Sequence, residues 1–80
     1  MQTVFKQHQK VKLIMTPNQE YVEYAESYVE KAPPITKGMS GRINIILPNG
    51  QYHVEIIDDK TSETIAYVPV DEEFLEKVED

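Results

Sequence analysis

The dipeptide Asn49-Gly50, set between two apolar alternations, constrains the fold of this chain more than any other feature. Asn-Gly is the preferred centre of a two-residue β-hairpin turn of type I′, because both residues tolerate positive φ. A two-residue loop pairs Pro48 with Gln51 and sets the register of both strands. One face then holds three apolar pairs, which are Leu47 with Tyr52, Ile45 with Val54, and Ile43 with Ile56. Turn and pattern agree on this register.

A third strand extends the hairpin into an antiparallel meander over residues 42–69. The polar run 59–62 predicts the second turn, which places on the same inner face the pairs Ile56 with Ile65 and Val54 with Tyr67. The outer face then carries Ile46, His53 and Val68. Outer faces of antiparallel sheets are usually polar. We therefore expect these three side chains to be covered by another part of the chain or by a partner.

Residues 17–32 predict one long helix. Thr16 is suited to cap it, and Pro17 is suited to its first position. Apolar side chains recur at helical spacing to form one stripe, made of Tyr21, Val22, Ala25, Tyr28, Val29 and Ala32. Pro33 ends the helix. Its opposite face is acidic and carries Glu20, Glu23, Glu26 and Glu30.

Two further elements complete the predicted fold. The alternation in residues 10–16 predicts a half-buried N-terminal strand, and the acidic start at Asp71 predicts a short C-terminal helix over 71–78. The fold class is therefore α+β in the order β-α-β-β-β-α. An antiparallel sheet, made of the meander 42–69 and the N-terminal strand, is packed by the long helix. Residues 1–9 form a flexible arm, and residues 10–80 form a single domain.

Composition excludes several classes of function. The 80 residues include no cysteine and only two histidines, His8 and His53, so no catalytic, metal or cofactor site is predicted. No apolar run is long enough to span a membrane, and the first lysines are not followed by the apolar core of a signal peptide. We expect a cytoplasmic protein. The net charge of −6 disfavours direct contact with nucleic acid or an anionic membrane.

Two candidate partner-binding surfaces remain. One is acidic, and it joins the helix glutamates named above to Glu72, Glu73 and Glu76 near the C-terminus. Such a row of carboxylates suits a basic partner surface and is able to imitate the phosphates of a nucleic acid. The other surface is the outer sheet face with Ile46, His53 and Val68, which also suits a homodimer.

Residues 52–72 resemble the C-terminal part of FlaG-type flagellar proteins. The residues that carry the resemblance are Asp58, Thr61, Glu63, Ile65, Val68, Pro69 and Asp71. The chain departs from that pattern at Ser62, Ala66 and Val70. The resemblance implies a shared fold element and a non-enzymatic role in flagellar assembly or filament-length control, and it implies no catalytic or ligand residues.

The leading interpretation is a small acidic, non-enzymatic regulator or inhibitor, of the kind that phages and mobile elements encode. It would block a basic surface of another protein, with nucleic-acid mimicry as one means. A FlaG-like assembly factor and a homodimeric structural protein are the alternatives.

Overall fold

The computed structural model describes residues 5–78, and in this range the chain forms one six-stranded antiparallel sheet. The strands are β1 (Lys10–Leu13), β2 (Glu23–Tyr24), β3 (Ser40–Ile46), β4 (Gln51–Ile57), β5 (Thr64–Asp71) and β6 (Leu75–Lys77). The only helical elements in this range are three 3₁₀ turns, at Gln19–Tyr21, Glu26–Tyr28 and Glu72–Phe74. The predicted α+β class is therefore wrong. Nothing helical in the described range is long and apolar enough to cross a membrane.

The sheet is curled rather than flat. Its strand order is β2-β5-β4-β3-β1-β6, so β5 and β6 are consecutive in the chain but separated by three strands in the sheet. In a flat sheet they would lie roughly 19 Å apart. The connection between them is the 3₁₀ turn Glu72–Phe74, and such a turn advances only about 2 Å per residue. The sheet therefore bends round on itself into a partly open barrel.

The core fills the inside of this barrel. Its buried members come from β1, from β3–β6, from the segment before β1 and from the connection between β2 and β3. They are Phe5, Val11, Leu13, Ile35, Ile43, Tyr52, Val54, Ile56, Ile65, Ala66, Val68, Val70 and Leu75. Phe5 is 3% exposed, and its ring meets that of Tyr52 edge to face at 5.4 Å between centroids. This residue of the predicted flexible arm is thus part of the core. Residues 1–4 of that arm lie outside the described range.

The register predicted for the first hairpin is wrong. The Leu47 N–H donates to the Gln51 carbonyl, so the loop holds three residues, and of these Gly50 alone has positive φ (+85°). This is the turn geometry of a three-residue hairpin loop rather than of type I′. Ile45 therefore faces His53 on the outer side, and Ile46 faces Tyr52. A β-bulge at Asn44 then shifts the register again and returns Ile43 to the inner face, opposite Val54.

The second hairpin has its predicted turn at 59–62, but not the predicted register beyond it. The Asp58 N–H donates to the Glu63 carbonyl, as expected. A bulge at Ile65 then places Ala66 opposite Ile56, so Val68 faces Val54 and Tyr67 faces Glu55. One extra residue reverses the face of every side chain that follows. The predicted outer position of Val68 is therefore wrong, because its exposed fraction is 0%.

The predicted helix at 17–32 is absent. The Thr16 hydroxyl accepts from the Lys37 N–H instead of capping a helix, and after the turn Gln19–Tyr21 the chain is extended at Val22. Strand β2 then pairs with β5, with Glu23 opposite Tyr67. This pairing supplies hydrogen-bond partners to the free edge of β5, which a helix would leave open. Aromatic and β-branched residues favour the extended form.

The predicted C-terminal helix is absent for a similar reason. After the 3₁₀ turn Glu72–Phe74 the chain enters β6, which pairs antiparallel with β1. The Ile14 N–H donates to the Phe74 carbonyl, and the Val78 N–H donates to the Lys10 carbonyl. These bonds occupy the edge of β1 that is not paired with β3. The strand predicted at 10–16 is present but ends at Leu13.

Candidate interaction surfaces

An exposed acidic segment lies between β1 and β3 and includes β2, at residues 18–31. It carries no basic residue before Lys31, and its four exposed glutamates are Glu20, Glu23, Glu26 and Glu30. Two large apolar side chains are exposed beside them, Tyr21 at 61% and Val29 at 58%. The prediction that the glutamates share one helix face is wrong, because the segment consists of two 3₁₀ turns and a two-residue strand. The predicted helical row of carboxylates is therefore absent.

The acidic segment is held to the barrel by hydrogen bonds along its length. At its start, Gln19 Nε2 donates to the carbonyls of Pro17 (2.8 Å) and Ile35 (2.7 Å), and Gln19 Oε1 accepts from the Ile35 N–H at 3.0 Å. In its middle, the Ala25 N–H donates to the Ile65 carbonyl at 2.9 Å. The Tyr24 hydroxyl donates to the Pro33 carbonyl at 2.7 Å. The segment is thus an ordered surface with defined positions for its charges.

Tyr28 anchors the end of the acidic segment beside further carboxylates. Its hydroxyl donates to Glu63 Oε2 at 3.2 Å, and the Lys31 Nζ lies 6.0 Å from its ring centroid. Desolvation raises the pKa of the Tyr28 phenol above its usual 10.0, and the hydrogen bond and charge of Glu63 and the charge of Asp58 raise it further. A negative charge is therefore disfavoured at this phenol.

The second candidate surface is the outer face of β3, β4 and β5. The ring of His53 stacks on that of Tyr67, with centroids 5.4 Å apart and an angle of 9° between planes. Asn44 Nδ2 lies 3.0 Å from His53 Nδ1, so the bulge residue on β3 contacts the edge of the imidazole. Ile45 is 50% exposed opposite His53, whereas the predicted site residue Ile46 is 36% exposed opposite the buried Tyr52.

This outer face has an acidic half and a basic half. Residues directly opposite one another in an antiparallel sheet share a face. The registers place in one row across five strands the residues Glu23, Tyr67, Glu55, Arg42 and Lys10. The last four are absent from the predicted partner-binding surfaces, and Tyr67 was predicted to lie in the core. No pattern in the sequence signals the two bulges that create this row.

The C-terminal glutamates do not act as one group. Glu72 is partly buried, and its Oε1 accepts a hydrogen bond from the Tyr52 hydroxyl at 2.8 Å. Glu73 and Glu76 are exposed, and Glu76 lies opposite Lys12 in the β1–β6 pair. Glu72 therefore has a structural contact with the core, while the other two present their carboxylates to solvent.

An open cleft of about 270 Å³ lies beside the second hairpin, lined in part by Met39, Ile57 and Asp58. Asp58 Oδ1 accepts from the N–H groups of Lys60 (2.8 Å) and Thr61 (3.1 Å), so this carboxylate maintains the turn.

Among residues 5–78 no three His, Cys, Asp or Glu side chains are grouped so that they would hold a metal ion.

Comparisons with known proteins identify no relative. No family model, no curated protein and no solved structure matches the chain. The resemblance of residues 52–72 to FlaG-type proteins stays a prediction.

Proposed function

We propose that this chain is a small non-enzymatic binding protein that regulates or inhibits a partner protein by covering a basic surface on it. The observation that carries the proposal is the acidic segment, residues 18–31. It combines four exposed glutamates with exposed Tyr21 and Val29 on a backbone that is hydrogen-bonded to β5. Exposed apolar patches with a polar rim mark contact surfaces, and aromatic side chains are enriched in them.

The physical basis is complementary charge around an apolar contact. Carboxylates that surround a basic patch accelerate encounter and select the partner, whereas the burial of Tyr21 and Val29 supplies affinity. Preorganisation contributes as well, because the hydrogen bonds of Gln19, Tyr24 and Tyr28 order the segment before it binds. The acidic segment is thus suited to block a site rather than to carry out chemistry.

The test is affinity capture from the native host at low and at high salt, with the partner identified by mass spectrometry. We expect a basic partner whose retention falls at high salt. The double variant E26K/E30K should lose that partner, because it reverses two charges of the acidic segment. The matched control E73K/E76K makes the same net change in charge near β6 and should retain it.

Two results would contradict the proposal. Equal loss with both variants would show that only net charge matters, and not the acidic segment. Retention of the partner by E26K/E30K would place the binding surface elsewhere. Thermal unfolding of E26K/E30K should match that of the parent chain, since both glutamates are exposed, and E73K/E76K should unfold only slightly earlier, because it places a lysine opposite Lys12.

A further inference from the structure

The outer face of the sheet has a charge arrangement that matches itself. In the row across five strands, Glu23 and Glu55 lie on the β2–β4 side, and Arg42 and Lys10 lie on the β3–β1 side. A two-fold axis lying in the contact plane along the boundary of β3 and β4 would exchange these halves. Self-complementarity of this kind is the requirement for an isologous interface.

We infer that this face binds a second copy of the chain, with the two sheets packed face to face about that axis. Glu55 then meets Arg42 of the second copy, and Arg42 meets Glu55 of the second copy. In the next row, the same rotation brings His53 against Ile45 of the second copy. Tyr67 meets Lys10 of the second copy, a pairing that a cation–π contact favours.

The apolar content of the face supports the same occupant. Ile45 is 50% exposed, and the stacked rings of His53 and Tyr67 are open to solvent on part of their surface, as is Pro69. The rotation buries Ile45 twice, once in each copy, against the imidazole of the other chain. Burial of exposed apolar area is the main favourable contribution to association.

Other occupants fit the charges less well. A uniformly basic partner would meet Arg42 and Lys10, and nucleic acid would meet Glu23 and Glu55. A second copy supplies both signs at the required positions. Because the sheet is curled, contact is confined to the strands nearest the axis, so the buried area is small and the dimer is weak. The inference goes beyond the proposed function, and apart from Glu23 it uses residues outside the acidic segment.

The experiment is sedimentation equilibrium of the full chain over a range of concentrations, at low and at high salt. The parent chain should dimerise, and at high salt the repulsion between two copies of net charge −6 is screened. R42E and E55R should each weaken dimerisation by roughly tenfold or more, because each places like charges in contact between copies. Controls with the same changes in charge elsewhere, K37E and E73R, should dimerise like the parent chain.

An equal mixture of R42E and E55R is the decisive sample. In a mixed dimer, the new carboxylate at position 42 meets the new guanidinium at position 55, and the unchanged Glu55 meets the unchanged Arg42. The mixture should therefore recover dimerisation that neither variant shows alone. Within one chain no such recovery is available, so a mere folding defect cannot produce this result.

Three outcomes would overturn the inference. One is a monomeric parent chain at the highest concentration. Another is a mixture that associates no better than its components. The third is equal weakening by the control variants.

Discussion

The Tyr52 hydroxyl donates a 2.8 Å hydrogen bond to Glu72 Oε1, and it joins the centre of the sheet to the 3₁₀ turn before the last strand. The Tyr52 hydroxyl oxygen also accepts a hydrogen bond from the Phe5 N–H, with 3.4 Å between nitrogen and oxygen. One phenol thus links three parts of the chain that are distant in sequence. Glu72, expected to contact a partner, instead helps to hold the barrel closed.

Removal of this hydroxyl should weaken the fold while leaving its packing intact. Tyr52→Phe retains the buried ring but removes the donor to a carboxylate, so the free energy of unfolding should fall by about 1.5–3 kcal/mol. Urea denaturation measures the change. The control Tyr21→Phe, at a residue 61% exposed, should alter it by less than about 0.5 kcal/mol. Equal effects of the two variants would contradict the role of this bond.

The observed registers of the two hairpins are tested by the contrast between two apolar residues. In the structure Val68 is buried because of the bulge at Ile65, and Ile45 is half exposed because of the three-residue loop, the reverse of what the predicted registers require. Val68→Ala should lower the free energy of unfolding by about 2 kcal/mol, because it removes two buried methyl groups. Ile45→Ala should cost less than about 1 kcal/mol. The opposite order would support the predicted registers.

Gln19 should be intolerant of an isosteric change. Gln19→Glu replaces the amide nitrogen that donates to the carbonyls of Pro17 and Ile35 with an oxygen that repels both. The expected loss is about 1–3 kcal/mol in the free energy of unfolding. Gln7→Glu makes the same change in charge at an exposed residue with one such bond, and should cost less. A similar loss from both would assign the effect to charge alone.

Gly41 should not accept a side chain. A Cβ at this position would lie 2.6 Å from the Glu55 carbonyl oxygen and 2.8 Å from Val54 Cγ1, so β3 would have to move away from β4. Gly41→Ala should therefore destabilise the protein by about 1–3 kcal/mol. Ser40→Ala, at the neighbouring position of the same strand, is the control and should be nearly neutral. A thermal unfolding series would compare them.

The raised pKa of Tyr28 predicts a loss of stability at high pH. Above pH 10.0, the usual pKa of the phenol, the unfolded chain releases this proton before the folded protein does. The folded state then binds more protons, so the free energy of unfolding falls as the pH rises through the folded pKa. Tyr28→Phe should remove this contribution, and Glu63→Gln should lower the pKa. Urea denaturation at several pH values measures the stability change, and the difference between phenol absorbance titrations with and without Tyr28 measures its pKa. An unchanged pKa in Glu63→Gln would contradict the contribution of Glu63 and leave desolvation as the cause.

Much of the sheet was predictable from the sequence because its signals are local. The alternation from Gln51 to Ile57 and the polar turn at 59–62 specify a meander, and β3, β4 and β5 are present where it was expected. The acidic surface was also predictable in composition, since exposed glutamates follow from charge alone. Its geometry was not, because the residues from Tyr21 to Val29 are compatible with helical spacing and with extended pairing.

The sequence by itself determined which segments are strands of the meander and roughly where they turn. Only the tertiary structure decided the faces of those strands, because the three-residue loop after Leu47 and the bulges at Asn44 and Ile65 change the registers. It also decided that residues 17–32 and 71–78 are not helices. Part of each segment instead forms backbone hydrogen bonds with an open strand edge, β2 with β5 and β6 with β1. Edge pairing is a long-range interaction, and no local pattern encodes it.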